Sequence, residues 1–138
     1  MKKIIALLLL MVVFGCTDNL EDNISYMNGY WEIKEVTLPD GSKREYTFSE
    51  TIDFFEVNDS LIGFRKKMKP NFDGTFSTSE DAEALQIKIE NDSLNIYYST
   101  PYAKWKETIL DVSEDQIVIQ NQAKLRYTYK RYEPLELD

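Results

Sequence analysis

The sequence predicts an all-β chain, an antiparallel up-and-down β-barrel of about eight to ten strands. Three observations predict it. Apolar and polar residues alternate along most segments from Gly29 onward, β-branched and aromatic side chains fill the apolar positions, and nearly every junction is a short turn. Period-2 alternation with that enrichment marks half-buried strands. Short junctions set each strand beside the next, and such a meander removes its exposed edges by closing on itself. A Greek-key sandwich would need a long crossing connection, for which only "KPNFDG" (69–74) and "STPYAK" (99–104) offer material.

The first strand, 29–38, would turn Trp31, Ile33 and Glu35 to one side, taken as the interior. "PDGS" at 39 turns the chain into a strand at 43–48, and "NDS" at 58 joins strands at 51–57 and 60–68. A strand at 74–79 leads to 83–90, where Leu85, Ile87 and Ile89 alternate with Gln86, Lys88 and Glu90. "NDSL" recurs at 91 as repeated turn chemistry, not a duplicated domain, and opens the strand at 93–99. Asn and Asp suit such turns because they tolerate left-handed backbone angles and bond their own main chain. Strands at 104–112, 115–121 and 124–132 complete the set. The first of these would point Trp105, Glu107 and Ile109 inward. The last would point Leu125, Tyr127, Tyr129 and Arg131 inward, with Arg126 on the other face. The inward positions are bulky (Trp31, Phe55, Phe64, Phe76, Tyr98, Trp105, Tyr127, Tyr129), and a small eight-stranded barrel is just wide enough to be filled by its own side chains.

Ahead of the strands, Lys2 and Lys3 precede the apolar stretch Ile4 to Gly15, which ends on Cys16, the only cysteine of 138 residues. Twelve residues cannot span a hydrocarbon core of about 30 Å as a helix. They do have the length and flanks of a secretory signal. The ending "VFGC" resembles the lipobox of bacterial lipoproteins through Gly15 and Cys16, while Val13 and Phe14 depart from its commonest form. The resemblance implies that residues 1–15 are a lipoprotein signal peptide and that Cys16 is lipidated and becomes the mature N-terminus. Each buried methylene contributes about 0.8 kcal/mol, so several acyl chains make a lasting anchor. Residues 16–28 then form the lipidated cysteine and an acidic linker without period-2 or period-3.6 order. Its Asp18, Glu21 and Asp22 resemble the acidic export signal of Bacteroidota surface lipoproteins, and they equally suit a plain solvated linker. The expected address is the outer membrane, lipid-anchored, facing the periplasm or the cell surface.

One domain, 29–132, and a short tail, 133–138, remain. Without Lys2 and Lys3 the chain has 14 basic against 24 acidic side chains, which argues against nucleic acid, whose phosphates demand a basic face. "GYW" at 29–31 resembles the Gly-x-Trp signature of lipocalins and the wider calycin group. That resemblance implies that Trp31 closes one end of the barrel with Arg131 packed across it. Disulfide-bearing lipocalins keep paired cysteines, which this chain lacks, and its length resembles the lipocalin-like domains of Bacteroidota lipoproteins.

Histidine is absent, which removes the usual general base, the commonest metal ligand and the histidine-containing triads. No phosphate-binding glycine loop and no zinc or iron ligand set appears, so neither cofactor, metal nor catalysis is expected. Two constellations carry the expectations for a site. Trp31, Glu35, Trp105, Glu107 and Arg131 form a barrel-closure or pocket group. There, two carboxylates and a guanidinium would either orient a polar head group or make an internal salt bridge, unless a bulge turns Glu107 outward. Arg65, Lys66, Lys67 and Lys69 in "FRKKMKP" form either a docking patch or a solvated strand face that guards an edge. The expected function is a non-enzymatic, membrane-anchored binding or docking module of the cell envelope, such as an accessory subunit of an outer-membrane complex with an envelope protein as partner. The alternative is a carrier of a small hydrophobic ligand.

Overall fold

A short 3-10 helix, Leu20–Met27, precedes ten strands in the computed structural model, which describes residues 20–47, 49–78 and 81–134. The strands are β1 (Gly29–Thr37), β2 (Lys43–Glu45), β3 (Ile52–Val57), β4 (Ile62–Pro70), β5 (Phe76–Thr78), β6 (Glu83–Glu90), β7 (Ser93–Ser99), β8 (Lys104–Val112), β9 (Gln116–Asn121) and β10 (Arg126–Arg131). Eight of them form a ring in the order β1-β3-β4-β6-β7-β8-β9-β10, closed by antiparallel pairing of β10 with β1. The fold is therefore the expected up-and-down barrel. β2 and β5, expected as longer strands, are three-residue arms on β1 and β4 outside the ring.

Register follows the hydrophobic pattern. Leu85 faces Tyr98, Ile87 faces Ile96 and Ile89 faces Leu94 across β6 and β7, joined by a turn in which Asn91 and Asp92 both have positive φ. That is the hairpin geometry these residue types favour. The core gathers Trp31, Phe55, Leu85, Ile96, Tyr98, Ile109, Ile117, Ile119 and Tyr129 from all around the ring.

Two bulges re-aim side chains. On β1, Ile33 faces Tyr129, but after one extra residue Glu35 faces Thr128 and Val36 faces Tyr127. Val36 thus takes the inward phase. Glu35, expected inside, is turned outward to Lys43, 3.6 Å away. On β8 the shift between Ile109 and Asp111 returns Val112 to the core.

Two other expectations are corrected. Residues 17–28 read as an unordered tether, yet Leu20–Met27 are helical and bury Ile24 and Met27 in the core. The spacing Leu20, Ile24, Met27 is one helical stripe, and it plugs one end of the barrel. Phe64 and Phe76, expected inside, pack outside it: Tyr30 stacks on Phe76 at 4.7 Å, Phe54 lies 4.8 Å from Tyr30, and Phe64 and Tyr132 extend the group. The cause is phase, because Gly63 and Arg65 hold the inward positions of β4. The turn "KPNFDG" makes no long crossing and simply leads from β4 into β5. The expected signal peptide 1–15, the expected lipidation site Cys16, and residues 135–138 of the tail lie outside the described residues.

Candidate functional site

The two ends of the barrel are built differently. At the helix end, Trp31 is completely buried and its indole N–H donates to the Met27 carbonyl at 2.8 Å. The Arg131 guanidinium lies 3.8 Å from the centre of the Trp31 ring, a cation–π contact. It also donates to the carbonyls of Tyr26 (2.8 Å), Asn28 (2.9 Å) and Glu114 (3.0 Å). The bonds to Tyr26 and Asn28 satisfy main-chain acceptors at the end of the short helix, which has no further turn to receive them, and the bond to Glu114 ties in the β8–β9 turn. Gly29 makes the crossing passable: its φ is +120°, and a Cβ there would stand 2.8 Å from Arg131 Nη1. Burial lowers the pKa of Arg131, with Asp115 and Glu114 opposing. Asn28 ties the helix end to β3 by accepting from the Val57 N–H at 2.7 Å and donating back to its carbonyl. This end is a structural cap.

Toward the other end the interior holds charge. Arg65 reaches in from β4, its side chain only 12% exposed. Nε donates to Asp53 Oδ1 at 3.3 Å, Nη1 to Glu107 Oε1 at 3.4 Å and to the Tyr98 hydroxyl at 3.5 Å, and Nη2 to the Tyr129 hydroxyl at 3.1 Å. Its guanidinium also lies 5.2 Å from the Phe55 ring centre. Lys67 approaches Asp53 from the rim at 3.6 Å. Burial works against the Arg65 charge, but Asp53, Tyr129, Tyr98 and Glu107 together hold its pKa above the ordinary arginine value. Burial pushes Tyr98 and Tyr129 up, so both stay neutral, and each hydroxyl accepts from Arg65. Burial also raises Glu107, and the pull of Arg65 and the bond from Tyr98 only partly offset it. Two carboxylates thus share one guanidinium, and Glu107 is the weaker-held of the two partners.

Above this network lies a pocket of about 350 Å³ lined by Arg65, Lys67, Glu83, Trp105, Glu107, Asn121, Tyr127 and Tyr129. Four of these residues, Glu83, Trp105, Asn121 and Tyr127, sit at strand ends remote from the helix cap. Trp105 lies with one face on Tyr98, ring centres 5.1 Å apart and nearly parallel, and remains half-exposed toward the opening.

Of the site residues read from the sequence, Trp31 and Arg131 meet at the cap, while Trp105 and Glu107 meet at the pocket. Glu107 does not face Arg131, because Arg65 occupies the centre instead. Arg65 is accordingly no part of an exposed docking patch. Its neighbours divide by alternation: Lys66 lies outside over Phe64 at 5.6 Å, Lys67 stands on the pocket rim, and Lys69 is exposed beside β5. Asp53, Asn121 and the inward role of Arg65 are not read from the sequence, and Tyr98 is expected inside but not as part of the site. A signal existed in "IDFFEV", where Asp53 shares the inward phase of Phe55 and Val57, and a buried carboxylate demands a buried cation.

The raised Glu107 has a testable sign. A carboxyl whose folded pKa exceeds its unfolded value favours the native state below the unfolded value, and that contribution is lost as pH rises through the folded one. Glu107→Gln removes the titration. Denaturant midpoints of the variant should therefore fall less than those of the wild type as pH rises from about 4 toward neutrality, and parallel pH profiles would contradict the assignment.

A family model for a lipocalin-like domain matches residues 27–119, from the end of the helix into β9. Two solved structures are similar to the chain. One is a lipocalin-like protein from Bacteroides uniformis, at 9% identity and TM-score 0.48, the match covering 78% of this chain and 99% of that one. The other is an uncharacterized protein from Bacteroides eggerthii, at 11% identity and TM-score 0.47, covering 77% and 99%. Comparison with curated proteins finds no match.

Proposed function

Because this chain belongs to the lipocalin-like domain family, we propose that it is a non-enzymatic binding module of the cell envelope, tethered to the outer membrane through lipid on Cys16 and engaging its target at the uncapped end of the barrel. The fold fits a binding or carrier role. The single observation that favours recognition at the mouth is the inequality of the two ends: one is sealed by a helix and an arginine clamp, the other opens on a pocket floored by charge.

A deep hydrophobic cargo fits less well. Trp31, Phe55, Ile96 and Ile117 are fully buried in a filled interior, and a fatty chain pushed past them would strip water from Arg65 and its carboxylates without replacing it. Docking on an envelope complex belongs to the same reading, since Phe72 and Tyr102 stand 97% and 96% exposed on the β4–β5 and β7–β8 turns at that end.

The tether sets the direction. Leu20 follows Cys16 by four residues, a reach of at most about 14 Å when extended. The helix enters the capped end, so lipid on Cys16 would hold that end near the bilayer and present the mouth to the aqueous side.

The test is Cys16→Ala with metabolic labelling by a fatty-acid analogue and cell fractionation. The variant should lose the label and accumulate as soluble or uncleaved precursor. Labelling equal to wild type would sink the anchor. Protease shaving of intact cells then separates cell-surface from periplasm-facing display.

A further inference from the structure

We propose that the mouth pocket binds a compact, uncharged, hydroxyl-bearing ring of the carbohydrate class, stacked on Trp105. The inference rests on the reading of the mouth as the recognition end and adds the chemistry of what is recognised.

Charge comes first. Arg65 and Lys67 line the pocket with Glu83 and Glu107, and Asp53 lies beneath, bonded to Arg65 and Lys67. Both signs are present at close quarters and nearly balance. An anion entering would meet Glu83 and Glu107, an organic cation would meet Lys67 and Arg65, and an alkyl chain would desolvate all four. A hydroxyl suffers none of these conflicts because it donates and accepts at once.

The polar groups are disposed for that. Lys67 and Arg65 offer donors on β4, and Glu83 and Glu107 offer acceptors on β6 and β8, the two strands that flank β7. The Asn121 side-chain oxygen is taken by the N–H groups of Ala123 and Leu125, while its side-chain N–H group points to the Tyr127 hydroxyl at 3.5 Å, a long bond that a ligand hydroxyl can improve on. Hydrogen bonds to charged groups are the stronger kind, so a few suffice for orientation.

The apolar contact is equally specific. Tyr98 backs one face of the Trp105 indole, and Trp105 lines the pocket beside Tyr127. A sugar ring has a C–H face to lay on an aromatic surface and hydroxyls around its perimeter. The volume of about 350 Å³ is at the small end of ligand pockets and suits one or two such rings.

The test uses the full purified chain in detergent. It has two tryptophans, and Trp31 is buried in the cap, so a ligand-dependent change in emission reports Trp105. Glucose, galactose, N-acetylglucosamine and maltose are titrated, with glycine as a zwitterionic and laurate as an apolar contrast. At least one sugar should give a saturable change below about 10 mM, tighter than both contrasts. By calorimetry, Trp105→Ala should abolish that binding. Glu83→Ala, at a partly exposed position whose loss the fold tolerates better, should weaken it about tenfold. No saturable response to any of the four sugars up to about 100 mM overturns the proposal, as does sugar binding that both variants leave unchanged. Glycine or laurate binding more tightly than every sugar, and lost with Trp105→Ala, overturns the carbohydrate class while keeping the mouth as the recognition site.

Discussion

Arg65→Met should destabilise the domain by about 3–5 kcal/mol at neutral pH, the range for breaking a buried ion pair by removing one partner. Methionine fills much of the arginine volume, so the loss is electrostatic more than steric. Asp53 and Glu107 would remain in place, 6% and 9% exposed, without their guanidinium, and the Tyr98 and Tyr129 hydroxyls would lose the donor that links them. Out of a total stability of about 5–15 kcal/mol, such a loss leaves the fold marginal.

The pH dependence separates this account from simple loss of packing. Without Arg65, Glu107 loses the pull that partly offsets its burial, so its folded pKa lies further above the unfolded one. The native state then holds a proton that the unfolded state has released, so the variant recovers stability as pH falls through the raised value and is least stable at neutral pH. Denaturant midpoints measured from about pH 4 to 8 should show wild type and variant converging toward the acid end. A constant gap would mean that Arg65 acts through its bulk. The triple variant Arg65→Met, Asp53→Asn, Glu107→Gln, which removes the three buried charges and leaves only the exposed Lys67 at the rim, should regain much of the loss, since a buried ion network can be replaced by neutral groups more cheaply than it can be broken.

That network also marks the boundary of what alternation reveals. Strand phase placed Trp105, Glu107, Tyr127 and Tyr129 on the inward face because period 2 is a local property, legible wherever the backbone runs straight. It failed for Glu35, where one extra residue in β1 reverses the phase, and a bulge leaves no mark in composition. It failed for Arg65 for another reason. Three lysines follow within four positions, and a basic run reads as solvated unless the partner charge on another strand is counted. Asp53 was that partner, inward by its own alternation, twelve residues earlier and adjacent through β3–β4 pairing. The ring order needed only short turns and was readable. The helix plug was not read, because its three apolar residues are spaced among polar ones and gain their meaning only from a barrel end that needs covering.

Trp31→Ala should lower stability by about 3–5 kcal/mol, the usual range for truncating a buried tryptophan. Three losses coincide at this position. The core loses its largest fully buried side chain, the Met27 carbonyl loses the indole N–H that it accepts at 2.8 Å, and Arg131 loses the ring beneath its guanidinium. Since Met27 and Ile24 pack into the same core, the helix should loosen together with the barrel end. Hydrogen exchange can follow that directly: amides in Leu20–Met27 should exchange faster in the variant by more than those at the start of β6 and the end of β7, which lie at the opposite end of the barrel. Trp31→Phe keeps most of the volume and aromatic face while removing the N–H donor, so it should fall well short of the alanine loss, by about the 1–3 kcal/mol of one unsatisfied buried acceptor at most. If alanine shifts the denaturant midpoint no more than phenylalanine does, packing at Trp31 contributes little and the Arg131 clamp alone closes this end. If the exchange rates of the helix stay unchanged, the helix is held by its own contacts with β3 and β8, and the cap is two independent devices instead of one.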